Sequence, residues 1–87
     1  MSHDQSPEQL VLAKLVRMAN QIATFFLSQP ENVRAEGVAT HINKFWEPRM
    51  RRQLFEILEK EDNGLDALVL QAVPLIRKPE PVDQRLH

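Results

Sequence analysis

Histidine is the side chain best suited to move a proton or hold a metal near neutral pH, and the chain has three: His3, His41 and His87. They lie near the two termini and at mid-chain, and none falls in an H-E-x-x-H or H-x-H spacing that would aim two imidazoles at one ion. His41 flanks an apolar helix face beside Ile42 and Phe45, where a half-buried imidazole bonded to a neighbour is the expected role. Ser2, Ser6 and Ser28 lack a nucleophile-elbow context. Two isolated glycines, Gly37 and Gly64, cannot build a loop that cradles phosphate. The acids Glu56, Glu59, Glu61 and Asp62 lack the ordered spacing of a calcium loop and read as a solvated helix end. The absence of cysteine excludes disulfides, thiolate metal sites, iron–sulfur ligation and cysteine nucleophiles together. No catalytic, cofactor-binding or metal-binding residue is therefore expected, and the chain is not expected to be an enzyme by itself.

What remains distinctive is the segment Lys44-Phe45-Trp46-Glu47-Pro48-Arg49-Met50-Arg51-Arg52. Its four bases and one acid leave +3, whereas Gln53 to Asp66 has one base and five acids, or −4. The only Trp stands beside a proline and next to arginines. Trp and Arg are enriched at interface hot spots, so the corner either docks a partner or is structural, with Trp46 pinning the junction of helices two and three and the arginines solvated. On a helical wheel Arg51 lies at the edge of the buried face and is expected to be partly structural, while Arg49 and Arg52 point outward.

The elements that position this corner are helices. Two glycines in 87 residues and no alternating strand pattern predict an all-α chain, a small bundle of three to four helices. Ser6 is a natural N-cap, Pro7 suits the first helical position, and Gln9 completes a capping-box spacing. The first helix is predicted from Pro7 to about Leu27, ending before Ser28-Gln29-Pro30 because the residue ahead of a proline leaves the α region. A second is predicted over Glu31–Phe45, with Ala35, Val38, Ile42, Phe45 and Trp46 on one side. Gly37 inside it costs about 1 kcal/mol relative to Ala, so either the helix starts later or another backbone approaches closely. Glu47-Pro48 forces a break. The third helix runs from Pro48 to about Glu61, stopped by Asp62-Asn63-Gly64 with Gly64 as a left-handed cap. The fourth, Leu65 to about Val73, ends or bends at Pro74. Residues 1–6 are expected to be a flexible N-terminus, 7–76 the helical domain and 77–87 a disordered tail.

Helix one carries an unusually wide apolar surface. From Val11 to Leu27 its apolar residues cover an arc of about 200°, about twice the width of an ordinary surface-helix stripe. The excess either faces a second chain or is wrapped by the other three helices. The hydrophobic fraction of 43% and charged fraction of 26% are those of a globular protein. A net charge of −1 gives no overall footprint for nucleic acid or anionic lipid. The polar start, Met1–Ser6, is unlike a signal peptide, no run of 18 apolar residues exists, and the cytoplasm is the expected location.

Three stretches resemble a known family. Lys14-Leu15-Val16-Arg17-Met18-Ala19-Asn20-Gln21-Ile22-Ala23, followed by Phe25-Phe26 and a short polar break, is similar to the opening of the delta subunit of bacterial NAD-dependent formate dehydrogenases. The block from Gly37 through Phe45-Trp46-Glu47-Pro48-Arg49-Met50-Arg51 resembles that family's most distinctive segment, and Gly64-Leu65-Asp66 with Leu68-Val69 resembles its last helix. The resemblance spans about Leu12 to Ala72. It implies a non-catalytic accessory subunit of a cytoplasmic molybdenum- or tungsten-containing complex that oxidises formate to carbon dioxide and reduces NAD. The larger subunits of that family hold the molybdopterin-type cofactor, iron–sulfur clusters, flavin and NAD, and this chain supports assembly or stability of the catalytic (alpha) subunit. The residues expected to meet that partner are Met18, Phe25, Trp46, Arg49 and Arg52. Self-association of the isolated chain, an autonomous nucleic-acid-binding domain and a transient dehydrogenase chaperone are the competing readings.

Overall fold

The computed structural model describes residues 6–79. The N-terminal segment expected to be flexible, apart from Ser6, and residues 80–87 of the expected tail lie outside the described residues. Four helices make up the domain: α1 (Pro7–Phe26), α2 (Glu31–Phe45), α3 (Pro48–Leu58) and α4 (Ala67–Ala72), the last running into a 3₁₀ turn at Val73–Leu75.

Local chemistry sets the helix starts. The Gln9 N–H donates to Ser6 Oγ at 3.2 Å and the Ser6 N–H donates to Gln9 Oε1 at 3.0 Å, closing the predicted capping box. Proline stands first in both α1 and α3, where its missing N–H has no helical partner to lose. α2 covers the predicted Glu31–Phe45 in full, so Gly37 does lie in a helix interior. The close approach it permits comes from a ring and not from a backbone. A Cβ at Gly37 would fall 2.6 Å from Phe26 Cδ1 and nearer still to Cε1.

The second half departs from expectation in its boundaries. α3 stops at Leu58, three residues short of the predicted end. Gly64, at φ +77°, therefore turns a linker and does not cap the helix directly. α4 starts two residues late, at Ala67. The reason is Asn20 on α1. Its Nδ2 donates to the Gly64 carbonyl at 3.0 Å while its Oδ1 accepts from the Asp66 N–H at 2.9 Å, holding the linker extended against α1. Asn43 on α2 repeats the device at the other end, donating to the Leu75 carbonyl at 3.0 Å and accepting from the Arg77 N–H at 2.8 Å. Arg77, expected in the tail, is thus tied to the domain, and its carbonyl also accepts from Arg51 Nε at 3.0 Å.

Replacing Asn20 by Ala removes two hydrogen bonds worth about 1 kcal/mol each at most, since water can reach the freed groups. The expected loss is about 1–2 kcal/mol, or a fall in Tm of about 5–15 °C for a domain of this size, read by thermal circular dichroism. A fall under about 2 °C would show that the clamp contributes nothing.

The core collects Leu15, Ala19 and Ala23 from α1, Val38, Ala39 and Ile42 from α2, Leu54 and Ile57 from α3, and Leu68, Val69 and Ala72 from α4. Trp46, Leu65 and Ile76 close it from the connections. α1 touches each of the other three helices and α2 packs on α4. No helix among the described residues is long and apolar enough to cross a membrane.

Candidate functional site

The excess apolar arc of α1 is only partly covered. Leu15, Ala19 and Ala23 are buried, but Val11, Phe25 and Leu27 remain exposed and Met18, Ile22 and Phe26 are half-buried. Met18, Ile22 and Phe25, at i, i+4 and i+7, form a stripe beside the buried one. α2 presents a matching second stripe at steps of four: Val33, Gly37, His41 and Phe45. The two meet where Phe26 lies over Gly37, and its edge-to-face contact with Phe25 (centroids 5.0 Å, planes 88°) sets the angle of both rings.

The result is an apolar face with two exposed rings, Phe25 at 63% and Phe45 at 64% of full exposure. A shallow hollow of about 490 Å³ is lined by Met18, Gln21, Ile22, Phe25, Phe26, His41 and Trp46, with no Lys, Arg, Asp or Glu among them. A second hollow of about 410 Å³ adjoins it through Phe26 and His41 and runs to Val33 and Phe45, with Glu36 and Lys44 among its lining.

The structure brings Met18, Phe25 and Trp46 together on this face but separates them from Arg52. Trp46 is 5% exposed and forms part of the hollow's floor, so it shapes the face from the core and offers little surface of its own. Phe45, expected among the core residues, points outward. The swap has a local cause. Phe45 ends α2 at the edge of its buried arc, whereas Trp46 has left the helix with ψ 131° and turns inward ahead of Pro48. Phe45 could have been found from its place on the 33–37–41–45 stripe.

Arg51 is structural, as expected. Its Nη1 donates to the Trp46 carbonyl at 2.8 Å and its Nε to that of Arg77, so it locks the corner. Arg49 is exposed, and Arg52 is half-buried in a separate trough between α3 and α4. His41 is held by its ring, 4.8 Å from that of Phe45. No group of three or more His, Asp or Glu side chains able to hold a metal occurs among the described residues.

A protein-family model described as the NADH-dependent formate dehydrogenase delta subunit, FdsD, matches residues 14–73. That span runs from the second turn of α1 to the end of α4 and includes both hollows and the corner. No curated protein and no solved structure matches the chain.

Proposed function

The chain belongs to the family of NADH-dependent formate dehydrogenase delta subunits, and on that premise we propose that it is a non-catalytic accessory subunit that docks on the catalytic (alpha) subunit. The exposed Phe25–Phe45 face is the contact, and its role is to support assembly or stability of that subunit in the cytoplasm. The observation that carries this reading is the hollow lined by Phe25 without Lys, Arg, Asp or Glu, adjoined by a second that Phe45 lines, both rings being more than 60% exposed. Apolar ground of this kind, on so small a domain, is stabilised by a covering partner. The molybdopterin-type cofactor, iron–sulfur clusters, flavin and NAD belong to the larger subunits in this reading. This chain's own residues do not fit a cluster, since it has no cysteine.

The arginines do not favour nucleic acid. Arg51 is committed to two carbonyls, and the acids Glu56 and Glu59 share the trough with Arg52. Phosphate binding needs cations collected along one surface.

The test is co-expression with a tagged catalytic subunit and affinity purification. Stoichiometric co-elution is expected at low and at moderate salt, because apolar contact is not screened. Failure to co-elute at both overturns the proposal; weak, substoichiometric association would favour a chaperone, and a stable homodimer indifferent to the dehydrogenase a self-associating domain. Arg49→Glu together with Arg52→Glu, both off that face, tests whether the arginine corner adds a contact of its own: a weakening of about tenfold without unfolding of the chain is expected. Unchanged affinity would make both arginines bystanders.

A further inference from the structure

α3 and α4 both lie on α1, yet they do not pack along each other. Between them runs an open trough of about 890 Å³, with Phe55, Leu58, Leu70 and Val73 as its apolar walls. It shares no lining residue with the α1–α2 face. Leu70 is 43% exposed there. The rim charges are ordered. Arg52 stands at one end of the α3 wall, Glu56 and Glu59 follow over about 10 Å of helix, and Lys78 reaches over the Phe55 ring at 5.6 Å from the opposite side. A walled, open, apolar slot with cations at one end and carboxylates at the other matches a helix groove, where anchors at i, i+3, i+4 and i+7 fill the floor and rim charges fix polarity.

We propose that this trough seats one amphipathic helix from another subunit of the formate dehydrogenase complex, acidic at the end beside Arg52 and Lys78 and basic at the end beside Glu56 and Glu59. The inference rests on the accessory-subunit reading but adds a second contact on a different surface. The full-length chain, carrying a photoreactive residue in place of Leu70, is co-expressed with the dehydrogenase subunits, irradiated, and the cross-linked peptide is sequenced by mass spectrometry. The expected product joins residue 70 to a segment of another subunit with apolar residues at helical spacing, acid at one end and base at the other. Glu56→Lys with Glu59→Lys in the same background lowers the cross-link yield at least several-fold. A cross-link to residues 80–87 of the same chain, to a second copy, or to no protein while the chain still co-elutes overturns the trough proposal alone. Failure of the chain to co-elute at all overturns the accessory-subunit reading, and this proposal with it.

Discussion

Changing Phe25 and Phe45 together to Glu is expected to abolish co-elution with the catalytic subunit while leaving the helical circular dichroism of the chain in place. Both rings are largely exposed in the isolated chain, so neither substitution opens a core cavity. In the docked state the account differs. Burying a phenylalanine contributes about 1.5–3 kcal/mol, of which roughly two thirds is still to be gained here. A carboxylate in the same place must also be stripped of water, at several kcal/mol when unpaired. The pair therefore costs at least about 4 kcal/mol of binding, on the order of a thousandfold. Leu10→Glu is the control: Leu10 is 55% exposed, but it lies about 22 Å along α1 from Phe25. Co-elution should survive it. Equal retention of the double Phe variant and the control would remove the α1–α2 face from the interface.

Trp46→Ala is expected to have the opposite signature, loss of the fold before any loss of contact. Truncating a buried Trp costs about 3–5 kcal/mol through lost burial and the cavity left behind. A domain of this size has about 4–11 kcal/mol of stability in all. Tm should fall by at least about 12 °C, and Trp46→Phe, which keeps most of the volume, by less than half as much. Thermal unfolding followed by far-ultraviolet circular dichroism measures both. A Tm within a few degrees of the original would show that the indole is surface, and would return Trp46 to the residues that meet the partner directly.

The contrast between neighbours 45 and 46 shows what a linear reading can and cannot deliver. Ser6, Pro7, Pro30 and Pro48 act within a few bonds of themselves, through a cap, a fixed φ or a missing N–H. The starts of α1 and α3 and the end of α1 follow from them and were legible, whereas Gly37 left the start of α2 open. The distal boundaries were not, because the device that delays α4 is the side chain of Asn20, more than forty residues earlier in the chain. On a wheel Asn20 is only one more polar residue opposite the apolar arc. Gly37 is intermediate: its helical cost announced a close approach, but only packing revealed that the visitor is the Phe26 ring. Filling that space with Gly37→Val should cost about 1–3 kcal/mol by overpacking, and an unchanged Tm would mean the ring swings away freely.

By itself the sequence determined that the chain is helical, where α1 and α3 begin, that it lacks the ligands of clusters and phosphate loops, and that α1 carries an unusually wide apolar arc. Those properties depend on residue type and on separations of a few positions. Tertiary structure decided which part of the arc stays bare, that Trp46 faces in and Phe45 out, and that Met18 and Phe25 share one surface while Arg52 lines another. Burial is a property of the whole packing: whether a side chain meets water depends on which distant helix has arrived over it, and in this chain α1 and α2 leave one apolar edge between them that no later helix comes to cover.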